Sequence, residues 1–191
     1  MILSTNALVL TNCVGVIFAK SPRSASIEQA KQIVEVTRKY GERSNPISMT
    51  AELERFTSDR LTSKLWFSRM CEHLQKTTLR RPLVVGVFQG QSVEEINRIV
   101  LETGIDIVQL HGEETVHDLE QINAPCIKVL HITPTTSSNS DVPDEGIDSS
   151  VKRIKADIEQ FAGKAIAILL DSKVPGERLF LPRESPLLRL K

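Results

Sequence analysis

The chain has 191 residues, enough for one well-buried domain. Apolar residues make up 40% and charged residues 25%, and 24 basic side chains balance 24 acidic ones. No bulk field therefore draws it to nucleic acid or an anionic membrane, and neither partner is expected. Its apolar runs are too short to span a bilayer. MILSTNALVL at the start lacks the basic and small-residue signals of a secretory leader, so none is read there. Cys13, Cys71 and Cys126 are odd in number and widely spaced, which fits reduced cytoplasmic thiols better than disulfides or a metal site.

Taken in chain order, Cys13–Ala19 is the first predicted strand. A helix follows from Ser26, whose spacing to Gln29 is that of a capping box. Its apolar face is Ile27, Ala30, Ile33, Val34 and Thr37, ending before Gly41. Glu42–Arg81 breaks the rhythm as a polar insertion holding the only Trp, with a short helix through Leu61, Leu65 and Trp66. Leu83–Phe88 is the second strand. Ser92 with Glu95 opens a helix striped by Val93, Ile96, Ile99 and Val100, and Gly104 sits where a terminating glycine belongs.

Ile105–Leu110 is the third strand, an aliphatic run that ends in His111, Gly112 and two carboxylates. Thr115 with Asp118 starts a third helix. Cys126–Leu130 is the fourth strand. Thr133–Ser150, rich in Ser, Thr, Pro and Asp, reads as a long loop. Val151, Ile154, Ile158 and Phe161 form a helix stripe ending at Gly163, and Ala165–Asp171 is the fifth strand. The tail 174–191 shows no regular period.

Strands that are short and aliphatic on both faces, alternating with amphipathic helices, predict a parallel sheet with helical crossovers. No Gly-x-Gly-x-x-Gly or Walker lysine loop follows any strand, so the pattern favours a (β/α) barrel over a nucleotide-binding doubly wound sheet. The polar residues after the strands then converge on one rim: Ser21-Pro22-Arg23, Gln89-Gly90-Gln91, His111-Gly112-Glu113 and Asp171-Ser172-Lys173.

On that rim Arg23 can receive a carboxylate or phosphate, or be a solvated arginine near a helix start. His111 can be an acid, a base or a hydrogen-bond donor, though a lone His at a strand end is more often structural. Asp171 ends an apolar run, where a carboxyl can act as a general acid or simply cap the next turn. Glu113 and Glu114 read as the solvated start of a helix. His73, His117 and His131 show no ligand spacing, and no metal is expected.

The blocks VGVIFAKSPR (14–23), VGVFQGQSVEE (85–95), GIDIVQLHGEE (104–114), IKVL (127–130) and ILLDSK (168–173) resemble the phosphoribosylanthranilate isomerase family in its fungal form. The resemblance implies a TIM (β/α)8-barrel fold, incomplete here. About five of the barrel's eight strands are recognisable in 1–173, and 174–191 is a tail outside the family pattern. It implies an isomerase of tryptophan biosynthesis, without cofactor or metal, acting on a small phosphorylated substrate. By position, Asp171 matches the family's general acid and Arg23 the arginine for the anthranilate carboxylate. His111 matches the rim histidine of the Leu-His-Gly motif.

The family's base is a cysteine in a Lys-[Ile/Val]-Cys-Gly motif, which does not occur in this sequence, and Cys13 is at the wrong end of its strand to replace it. The family's Gly-Gly-Thr-Gly phosphate loop is not found after Asp171 either. These departures predict a truncated form with little isomerase activity of its own. Two alternatives are a non-catalytic fragment held by self- or partner association through open sheet edges, and a different phosphate-binding barrel enzyme.

Overall fold

A computed structural model of the chain describes residues 13–39, 62–78, 82–132 and 145–172. Gly41, Leu61, 42–61 and 79–81 of the polar segment, 133–144 of the expected loop, Lys173 and the tail 174–191 lie outside the described residues. Five strands, β1 (Cys13–Ile17), β2 (Leu83–Phe88), β3 (Ile107–Leu110), β4 (Cys126–Ile132) and β5 (Ala165–Ser172), form one sheet in the order β1-β2-β3-β4-β5. Every adjacent pair is parallel. The helices are α1 (Ile27–Lys39), α2 (Ser63–Thr78), α3 (Val93–Thr103), α4 (Val116–Gln121) and α5 (Glu145–Gln160). Among the described strands the order never reverses, so they contain no switch point of the doubly wound kind. They are a run of consecutive (β/α) barrel strands.

Local chemistry sets the helix ends. Ser26 N donates to Gln29 Oε1 at 2.9 Å while Gln29 N donates to Ser26 Oγ at 3.2 Å, a closed capping box ahead of α1. Ser92 Oγ accepts from Glu95 N, and Thr115 and Asp118 form a reciprocal box at α4. Gly104 ends α3 at φ 71°, its N–H donating to Val100 O, a conformation that a side chain would strain. Arg38 Nη2 then donates to Gly104 O at 2.6 Å and ties the end of α1 to the end of α3.

Several boundaries differ from expectation for identifiable reasons. β3 begins at Ile107 rather than Ile105 because the Asp106 carboxylate takes the Val84 N–H at 2.9 Å, in place of a ladder partner. β4 and β5 run on together through Leu130↔Leu170, His131↔Asp171 and Ile132↔Ser172. α5 starts at Glu145, inside the expected loop. Val151 is solvent-exposed rather than part of the buried stripe.

The largest difference is α2. Instead of a short helix through Leu61, Leu65 and Trp66, it has 16 residues. Leu65 faces solvent, and Trp66, Met70 and Leu74 (spaced i, i+4, i+8) point inward with Phe67.

Alternation along the strands divides the apolar residues between two faces. Val16, Val84, Val108, Cys126 and Ala165 pack with Ala30 and Val34 of α1, Ile96 and Ile99 of α3, Leu119 of α4 and Phe161 just after α5. Gly86 lies within this layer. A Cβ there would stand 2.5 Å from Ile105 Cδ1 and 2.9 Å from the Phe88 ring. Leu83, Val85, Ile107, Ile127 and Ile166 pack on the other face, against α2. Trp66 is buried there, and its Nε1 donates to Ala165 O at 2.7 Å.

Truncating this anchor removes both contact area and a partner for a buried carbonyl. Trp66→Ala is expected to lower unfolding free energy by about 3–5 kcal/mol, read by chemical denaturation with circular dichroism. Trp66→Phe, which keeps most of the volume but not the N–H, should fall between the two.

Candidate active site

Because all five strands are parallel, the segments after β1, β2 and β3 share one rim with the last residues of β4 and β5. On that rim His111 Nε2 lies 3.3 Å from Asp171 Oδ2, reaching across β4. His131, the neighbour of Asp171 in the β4–β5 register, stands between them. Its Nε2 is 3.0 Å from His111 O, to which it donates, and the two imidazole rings are 4.8 Å apart at 60°. His111 N donates to Phe88 O at 2.8 Å.

Register and alternation put His131 and Asp171 on the face that α2 covers. The α2 contacts involve residues early in the strands, and Leu169, two positions before Asp171, is solvent-exposed. The site is thus a partly open shelf above an apolar floor. His111 and Asp171 keep 29% and 45% of their side-chain surface in solvent, so both are accessible from outside.

The loop after β3 departs from expectation. Glu114 is not a solvated helix-start acid. Its side chain is 9% exposed and pairs at 2.9 Å with Lys128, itself only 5% exposed. The carboxylate folds back onto the Gly112 N–H, at 3.2 and 3.0 Å. Lys128 Nζ donates to Gly112 O at 2.6 Å. A Cβ on Gly112 would stand 2.6 Å from Glu114 Oε1, so a side chain there would displace the carboxylate from this position. Glu113, next to it, is exposed as expected.

Arg23 sits at the opposite edge of the sheet from Asp171, after β1. It is exposed, its N–H donates to Ser21 Oγ at 3.2 Å, and it borders an open groove of about 540 Å³ beside Gln29, Ile33 and Thr37 of α1. The structure therefore brings His111 and Asp171 together and leaves Arg23 apart from them. The β1 and β2 rims are joined by Gln91, whose Nε2 donates to Phe18 O and whose Oε1 accepts from Gln89 N.

A family model described as N-(5′-phosphoribosyl)anthranilate (PRA) isomerase matches residues 43–176, well over half of the chain. The chain belongs to the PRA isomerase family. His111, Lys128, His131 and Asp171 fall inside the matched residues, and Arg23 falls before them. Among relatives, the tryptophan biosynthesis protein TRP1 of Phytophthora nicotianae is 37% identical over 169 residues, covering 87% of this chain and 29% of that protein. The N-(5′-phosphoribosyl)anthranilate isomerase of Wickerhamomyces anomalus is 34% identical over 119 residues, covering 60% of this chain and 47% of that one. The chain thus spans less than half the length of either relative. The crystal structure of phosphoribosyl anthranilate isomerase from Thermotoga maritima aligns with a TM-score of 0.47 at 23% identity, over 87% of this chain and 53% of that chain.

Within this PRA isomerase family member the three cysteines stand away from the rim residues. Cys13 and Cys126 open β1 and β4, at the far ends of their strands, and Cys71 is exposed on α2. Burial, then the neighbouring Glu114 charge, pushes the Cys126 thiol up to about 12. Partial desolvation, then Asp106, raises Cys13. Lys128, Glu114 and His131 are the rim residues that sequence reasoning missed. The available signal was a lysine inside the apolar strand run IKVL.

At neutral pH a thiol reagent should label Cys13 and Cys71 in the native chain and spare Cys126 until unfolding. The Cys126 thiol ionises near 9.0 when solvated and near 12 when folded. Its contribution to stability is therefore complete below pH 9 and lost as pH rises from 9 towards 12. Denaturation midpoints measured across that window should fall more steeply for the parent than for Cys126→Ala.

Proposed function

We propose that this chain carries the acid side of N-(5′-phosphoribosyl)anthranilate isomerase chemistry, in the tryptophan biosynthesis of the cytoplasm. The observation that supports this reading best is the approach of His111 and Asp171 on the strand-end rim of a family member. The reaction is an Amadori rearrangement of a phosphoribosylamine. A proton must reach the furanose ring oxygen as the C1′–O bond breaks, while the nitrogen lone pair forms the C1′=N Schiff base. Loss of the C2′ proton then gives the enolamine, which tautomerises to 1-(2-carboxyphenylamino)-1-deoxyribulose 5-phosphate.

Asp171 is assigned the first proton transfer, with His111 binding substrate beside it. Arg23 is assigned to the anthranilate carboxylate, which its guanidinium suits. A substrate bridging Arg23 and Asp171 would lie across the rim from β1 to β5. The base for C2′ is assigned to no residue of this chain, and neither is the phosphate site, so complete turnover by the 191 residues alone is expected to be low.

Ring opening can be measured apart from the later step by trapping the Schiff base with cyanoborohydride. The parent chain should accelerate trapping, and Asp171→Asn should lose about 10²–10⁴-fold of that acceleration. Equal trapping by the parent and Asp171→Asn would contradict the assignment.

A second reading, association with another copy or another chain, draws on the sheet edges. Among the described residues β1 and β5 each pair with one neighbour only, and Leu169 of β5 is exposed. Light scattering after size exclusion decides it: a monomer across the micromolar range would exclude self-association.

A further inference from the structure

The four backbone polar groups of His111 and Gly112 are all engaged, each by a different residue. His111 N donates to Phe88 O of β2, and His111 O accepts from His131 Nε2 of β4. Gly112 N donates to the Glu114 carboxylate, and Gly112 O accepts from Lys128 Nζ. Of the two side chains that hold Gly112, both are charged and both are almost wholly removed from solvent.

Stability does not explain such a pair. Taking two charges out of water offsets most of their mutual attraction, and apolar residues of similar volume commonly serve as well. An apolar pair, however, has no donor for Gly112 O and no acceptor for Gly112 N. What this pair supplies is the geometry of one peptide segment, adjacent to the imidazole that faces Asp171.

We propose that Glu114 and Lys128 are positioning residues for His111: their buried ion pair grips both backbone groups of Gly112 and thereby sets where the His111 ring stands against Asp171. The proposal rests on the reading of His111 and Asp171 as the acid side of the site, and it adds residues that touch neither substrate nor the reacting atoms. Glycine at 112 is part of the device, because the carboxylate occupies the space a Cβ would take. A displacement of His111 by an ångström is enough to cost about 10²-fold in a reaction that depends on alignment.

The test uses the full chain and reads the His111 ring resonances by NMR, with and without Asp171→Asn. In the parent, Asp171→Asn should shift those resonances, because the two side chains are in contact. In Glu114→Leu/Lys128→Met, which leaves no uncompensated buried charge, the chain should keep its circular dichroism. His111 should lose its response to Asp171→Asn, and Schiff-base trapping should fall about 10²-fold. Gly112→Ala keeps both charges but pushes the carboxylate off the amide, and should abolish the same response.

A full His111 response in either folded variant would overturn the proposal and leave the pair a structural contact. The ring resonances are read without substrate. A parent chain that fails to open the ring would therefore count against the acid role of Asp171 alone, leaving the clamp to be decided by the spectra.

Discussion

The structure depends on covering a sheet that is apolar on both faces. Five parallel strands present Val84, Val108 and Cys126 to one side and Leu83, Val85, Ile107 and Ile166 to the other. Closed barrels bury the inner set against their own opposite strands. Here the described strands form an open row, and one helix covers that face. Trp66 decides where α2 lies: it fills space above Ile166 and its indole N–H satisfies the Ala165 carbonyl at the start of β5.

The position of α2 has consequences for the rim. It packs on residues early in the strands and leaves the late ones to the site. Residues early in β2–β5 form a floor, and His111, His131 and Asp171 stand above it at the other end. Precision at the rim comes from a separate device, the grip on His111 and Gly112 by Phe88, His131, Glu114 and Lys128. Division of labour of this kind, with apolar packing fixing the elements and buried polar bonds fixing the rim segment, lets a partly open shelf remain well defined.

Much of the framework was legible in the sequence because its signals are local. Ser26 with Gln29, Ser92 with Glu95, Thr115 with Asp118 and the glycine at 104 each act within four residues, and each does what its spacing implies. That His111 and Asp171 share a rim followed from the strand ends, whereas their 3.3 Å approach, and the separation of Arg23 from them, did not. What the sequence hid is tertiary. Trp66, Met70 and Leu74 lie among charged residues, and nothing local says which face of the sheet they cover. Glu114 occupies a position where an acid ordinarily serves a helix dipole, and its partner Lys128 comes from the next strand. His131 is placed by register with Asp171, a relation no single stretch of sequence contains.

Native-state hydrogen exchange tests the central claim, that α2 is an integral cover of the sheet rather than an appendage. If it is, the amides of Met70 in α2, Val85 in β2 and Ile107 in β3 should open together, with one free energy equal to that of global unfolding. Exchange of the α2 amides through a much smaller opening, while Val85 and Ile107 remain protected, would contradict the account.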